Sequence, residues 1–204
     1  MAKTWIWISG WAIDPDRFKS AVEWALPNDS HQVLAPAPNA LEKALAAGTD
    51  NIGGYSLGSL ILLSALEQIP KVSNITCLAP FIAFCEEDRM GGITSRGTLW
   101  SLQKRLQKQP PKTLQLFYRL AGLNEPLPGK MPYSIEDLEW GLEQLLTLKA
   151  STAFSDRVKG IAGLKDPLIN HKEMRSKWPK CHFVDECNHD YHKLLVALSN
   201  GNSI

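Results

Sequence analysis

The chain has 204 residues, 44% of them hydrophobic and 21% charged, with a formal net charge of +1. That is enough length to bury a real core in one or at most two domains, with the composition of a soluble globular protein. Near-neutral charge argues against a polyanion-binding protein unless the charge is unevenly spread, so no nucleic-acid partner is expected.

No apolar run reaches the ~18 residues of a membrane span. The start, Met1-Ala2-Lys3 before a short apolar stretch, lacks the length and cleavage site of a signal peptide. A cytoplasmic protein is expected, with Cys77, Cys85, Cys181 and Cys187 as free thiols. No internal repeat or linker is visible.

Thr4 to Ile8 is β-branched and aromatic and stops at Ser9-Gly10, which predicts a buried strand. Asp14-Pro15 supplies a helix cap and a first-turn proline, and Phe18, Ala21, Val22 and Ala25 follow at helical spacing. Gln32 to Leu34 predicts a short strand and Leu41 to Ala47 a short helix. Asp50 to Gly53 leads into Ser56, and from Leu60 to Ile69 the chain is apolar nearly all round, as in a helix buried on both sides.

Further strands are predicted at Val72–Leu78, Val158–Ala162 and His182–Val184, with a closing helix from Tyr191 to Leu198. Strands alternating with helices imply a mostly parallel sheet of about six strands flanked by helices. Residues 86–151 break the rhythm. Leu99, Leu102 and Leu106, then Leu138, Leu142, Leu145 and Leu146, give helical periods with no convincing strand. They predict a helical cap inserted into a core formed by residues 1–85 and 152–204.

Gly54-Tyr55-Ser56-Leu57-Gly58 matches G-x-S-x-G between a strand and an apolar helix. A serine on that sharp turn needs small neighbours two positions away, and the following helix N-terminus favours developing negative charge. A nucleophilic serine also needs a base and an acid that orients the base, in the order serine, acid, histidine. His31 precedes the serine, His171 lies in a helix after the acid candidate, and His182 lies in a strand. His189, in the loop after the last strand, is the preferred base, with His192 in reserve.

Asp166 is the preferred acid, at the end of a strand and followed by Pro167. Asp156 lies before that strand, and Asp185 and Asp190 are too near His189 in sequence. Oxyanion donors are expected at the amides of Leu57 and Trp11. A glycine-rich turn without catalysis is the competing reading of the motif. Cys181, His182, Cys187, His189 and His192 raise zinc, but their spacing fits no usual ligand pattern, so no metal and no cofactor are expected.

With these residues placed, the chain resembles the α/β-hydrolase superfamily. Within it, the chain is most similar to the pimeloyl-acyl carrier protein methyl ester esterases of biotin synthesis. Gly10-Trp11, the Ser56 motif, the stretch Ile135–Glu143 and Trp178-Pro179 carry the likeness. The resemblance implies a triad of Ser56, Asp166 and His189, oxyanion donors at Trp11 and Leu57, and release of methanol from a carrier-bound methyl ester. The chain departs from those esterases at Ser9, where they have histidine, and at Asp190-Tyr191, where they have small apolar residues.

Charge bears on the substrate separately. Arg89, Arg96, Lys104, Arg105, Lys108, Lys112 and Arg119 fall in one interval without an Asp or Glu. Such a surface would steer an acidic acyl carrier protein, with Arg89, Arg96, Lys104, Arg105 and Lys108 as the expected docking residues. A solvated helix face is the alternative. The other functional readings are a generic short-chain carboxylesterase or thioesterase, and a non-enzymatic binding protein of the same fold.

Overall fold

A computed structural model describes residues 2–126, 133–152 and 157–201. Strands β1 (Thr4–Ile8), β2 (Ser30–Leu34), β3 (Asn51–Tyr55), β4 (Asn74–Leu78), β7 (Val158–Gly163) and β8 (His182–Val184) form one sheet in the order β2-β1-β3-β4-β7-β8. Every neighbouring pair is parallel. Strands β5 (Ala83–Cys85) and β6 (Gly91–Thr94) form a separate parallel pair. The helices are α1 (Pro15–Ala25), α2 (Ala40–Ala46), α3 (Leu57–Ser64), α4 (Arg96–Leu106), α5 (Pro110–Leu120), α6 (Ile135–Thr147), α7 (His171–Lys177) and α8 (Tyr191–Gly201). Among the described residues no helix is long and apolar enough to cross a membrane.

The central strands β1, β3 and β4 are buried on both faces, so they do not alternate between buried and exposed positions as half-exposed strands do. Trp7, Ile8, Ile52, Cys77, Leu78 and Ile161 are all sealed from solvent. Helix α3 is apolar on every side because it is enclosed on every side, and Leu60, Leu62 and Leu63 are fully buried. Each such side chain contributes roughly 1.5–3 kcal/mol relative to exposure. The chain leaves β1 toward β2 on one side and then returns to place β3 on the other. That reversal opens a crevice at the carboxyl ends of β1 and β3, where parallel sheets bind ligands. Ile8 pairs with Gly54 across it, so the loops after both strands emerge side by side.

Three expectations need correction. The apolar run after Ser56 is helical only to Ser64; Ala65 takes φ −119°, and the following residues form turns. Val72 does not belong to β4, which starts at Asn74; its side chain is 77% exposed. The 86–151 stretch, expected to hold no strand, contains β6. Its Gly91-Gly92 pair gives no apolar alternation, yet Gly92 is what lets it pair. A Cβ there would fall 1.9 Å from the Phe84 carbonyl oxygen.

Strand β6 also joins the loop after β7. Gly92 bridges Ile169, the Asn170 N–H donates to Gly91 O (2.7 Å), and the Ile93 N–H donates to Leu168 O (3.3 Å). The inserted helices leave and return at one place, since Ala83 bridges Lys149 and the Ala150 N–H donates to Ile82 O (2.7 Å).

Candidate active site

Ser56 occupies the junction between β3 and α3 at φ 53°, ψ −113°, a strained conformation for a residue with a Cβ. The surroundings enforce it. A Cβ on Gly54 would lie 2.6 Å from the Ser59 nitrogen, and one on Gly58 would lie 2.0 Å from the Ile8 carbonyl oxygen. Strand and helix thus approach more closely than any side chain at those two positions permits. Serine at a helix N-terminus ordinarily caps the first turn through its own oxygen. Here the side chain makes no capping bond. Its Oγ faces the His189 imidazole instead, 3.0 Å from Nε2.

His189 lies between β8 and α8, and its Nδ1 is 2.6 Å from Asp166 Oδ2. The other Asp166 oxygen accepts from the Leu168 N–H (2.9 Å), which fixes the carboxylate plane. An acceptor-only carboxylate selects the tautomer with the proton on Nδ1, leaving the Nε2 lone pair for the serine proton. Tyr55 OH donates to the His189 carbonyl oxygen (2.7 Å), and Phe81 stacks on the ring at 5.9 Å. Burial holds the Tyr55 phenol well above its usual range, so it stays a donor. Ser56, Asp166 and His189 are 3%, 5% and 1% exposed, so the series is sealed within the fold.

The rejected candidates stand elsewhere. His192 Nδ1 pairs with Asp190 Oδ1 (3.1 Å) and the ring stacks on Tyr191, exposed to solvent. His31 accepts from Trp7 Nε1 (3.3 Å) below the sheet's opposite end. His182 is exposed on β8, and His171 begins α7. Asp156 lies outside the described residues. Among the described residues no three His, Cys, Asp or Glu side chains converge as metal ligands. The four cysteines are free and buried. Burial pushes Cys85 and Cys187 up to about 11 and Cys181 to about 12, so none is a ready thiolate.

The loop after β1 passes directly beside the serine. A Cβ on Gly10 would lie 3.2 Å from Ser56 Cβ and 2.8 Å from the Tyr55 ring. Trp11 follows, its indole buried edge-on against Phe117 with centroids 4.6 Å apart. Leu57 is the first residue of α3, whose N–H groups have no partner within the helix.

No family model matches the chain, and no curated protein matches it. Solved structures do. A thermophilic esterase from Thermogutta terrifontis superposes with a TM-score of 0.64 at 10% identity, covering 100% of this chain and 88% of that one. A lipase-esterase related protein from Clostridium acetobutylicum gives 0.59 at 16% identity over 98% and 91% of the two chains. An alpha/beta hydrolase from Sphaerobacter thermophilus gives 0.56 at 13% identity over 98% and 92%. The fold is that of the α/β-hydrolases.

In this α/β-hydrolase fold the helices α4 to α6 lie between β4 and β7 in sequence, and α4 and α5 carry Arg96, Lys104, Arg105, Lys112 and Arg119. A groove of about 1070 Å³ runs between α4 and α5, with Leu102, Leu116 and Leu120 in its lining and Lys104, Arg105 and Lys108 at its rim. It adjoins a cavity of about 230 Å³ reaching Phe117, Pro167 and Leu168. The five expected docking residues do not act alike. Lys104, Arg105 and Lys108 are exposed on or beside α4, and Arg89 is exposed after β5. Arg96 is committed internally: it bonds both Asp88 oxygens (3.0 and 2.8 Å) and the Leu146 carbonyl (2.8 Å).

Sequence reasoning did not find Tyr55, Phe81 or Leu168 as supports of the histidine and the acid. Tyr55 sits at a variable position of the motif, Phe81 acts through long-range packing that no local pattern encodes, and Leu168 acts through its backbone N–H two residues from Asp166, independently of its side chain.

Proposed function

We propose that the chain is a serine hydrolase acting on carboxylic esters through an acyl-enzyme. Ser56 Oγ attacks the ester carbonyl carbon while His189 Nε2 takes its proton. The Trp11 and Leu57 amides receive the resulting oxyanion. Collapse breaks the bond to the alcohol oxygen, which leaves with the proton from His189. Water, deprotonated by the same imidazole, then attacks the acyl-enzyme, and release of the acid restores Ser56. Asp166 orients His189 and stabilises its charged form. The observation that carries this reading is the continuous hydrogen-bonded series from Ser56 Oγ through His189 to Asp166. Esterases among the structural neighbours add to it.

The finer reading is a methyl ester of a pimeloyl chain on acyl carrier protein. It is supported by the sequence resemblance and by the α4–α5 groove, whose apolar lining suits an acyl chain and whose cationic rim suits an acidic carrier.

Two measurements test these readings. Ser56→Ala should lower ester turnover by ~10³-fold or more and abolish labelling by a fluorophosphonate. A Ser56→Ala protein with undiminished turnover refutes the serine mechanism. Pimeloyl methyl ester on carrier protein should be cleaved faster than p-nitrophenyl esters of any chain length; the opposite ranking leaves a generic short-chain esterase.

A further inference from the structure

The loop bearing Trp11 is held less by the sheet it leaves than by the helices above it. Gly10 to Ile13 form a tight turn closed by the Ile13 N–H to Gly10 O (3.2 Å). Ala12 sits at φ 61°, a left-handed conformation that alanine adopts only when its neighbours hold it there. Each of the three residues after Gly10 is tied to the inserted segment. Trp11 Nε1 donates to Leu138 O on α6 (2.8 Å), Tyr118 OH on α5 donates to Ala12 O (2.6 Å), and Tyr133 OH donates to Ile13 O. Burial raises the Tyr118 phenol well above its usual range, so it remains a donor.

Helix α6 also rests on both proposed anion-binding residues at one point. A Cβ on Gly141 would lie 2.5 Å from Trp11 Cδ1 and 3.2 Å from Leu57 Cδ2. A glycine inside a helix is unfavourable, and here it admits these two side chains. Ser56 beneath is 3% exposed.

We propose that Tyr118 is a positioning residue for the oxyanion site: its hydroxyl, through the Ala12 carbonyl, holds the turn that aims the Trp11 amide, so the site is complete only when α5 and α6 are seated. This rests on the serine-hydrolase reading above. With the helices seated, Tyr118 OH is bonded to Ala12 O, the left-handed turn is held, and the amide is in place before charge develops.

The test uses Tyr118→Phe, which removes only the hydroxyl, beside Gly141→Ala and Ser56→Ala, with a p-nitrophenyl ester and a phenylboronic acid. The boronic acid forms a tetrahedral anionic adduct on the serine. For Tyr118→Phe, kcat should fall about tenfold with KM within about twofold, because the lost alignment matters only in the transition state. Boronate affinity should fall by the same factor, and the pH profile of kcat should keep its shape. Gly141→Ala should reproduce this split, and it decides the question alone if Tyr118→Phe does not fold. The proposal is overturned if kcat stays within twofold of the parent while Ser56→Ala is inactive, or if the loss appears in KM, or if boronate affinity does not move. If Ser56→Ala stays active, the serine reading fails and takes this one with it.

Discussion

At the β3–α3 junction there is no space to spare: Gly54 and Gly58 each face backbone atoms that any added carbon would strike. On the outer faces of α4 and α5 the reverse holds, where Lys104, Arg105, Lys108, Lys112 and Arg119 project into solvent. The first region is specified by shape, and a single atom matters there. The second is specified by charge sign, and many arrangements of side chains would serve it equally.

The largest effect should come from forcing an atom into the fixed region. Gly58→Ala should destabilise the fold by about 3 kcal/mol or more, since strand β1 and helix α3 must part to admit the methyl group. A thermal or urea unfolding curve close to the parent's would show the junction to be looser than its geometry states.

Next in size is the contrast between two histidines three residues apart. His189→Ala should reduce turnover by ~10³-fold or more, as removal of a catalytic base does. His192→Ala should leave kcat within about twofold, because that ring bonds Asp190, stacks on Tyr191 and faces solvent. Equal losses would erase the distinction between the buried and exposed imidazoles.

The smallest effect belongs to the charged region. Reversing Lys104, Arg105 and Lys108 to glutamate should slow cleavage of a carrier-bound ester about tenfold at low salt and flatten its salt dependence. Turnover of a neutral p-nitrophenyl ester serves as the reference and should change far less. A parallel loss on both substrates would mean that the groove supports the fold or the acyl chain rather than an acidic partner.

The same contrast governs what the sequence discloses. The central strands are legible because burial on both faces favours largely apolar, β-branched runs such as Trp5 to Ile8 and Ile75 to Leu78. The meeting of Ser56, His189 and Asp166 could be expected from the G-x-S-x-G motif and from the order and element ends that serine chemistry would require. The ends of apolar segments are less so: Ala65, Leu66 and Ile69 continue at helical spacing after Ser64, and that pattern alone does not say where the helix stops. The β5–β6 pair is hidden because it depends on the absence of a side chain at Gly92. The bonds from Tyr118 to Ala12 and from Tyr133 to Ile13 span 106 and 120 residues, beyond any local periodicity.

The seam between β6 and the loop from Leu168 to Asn170 has a practical meaning for engineering. Cutting at residues 86 and 151, as hydrophobic periodicity alone would advise, would carry away β6 along with the helices and unmoor the segment that begins at Asp166. A transplantable module should instead start after Thr94 and end before Lys149. Grafts made within those limits would keep the strand pair and the Leu168–Asn170 segment in place, provided the replacement restores the bonds that Tyr118 and Leu138 make to the loop after β1.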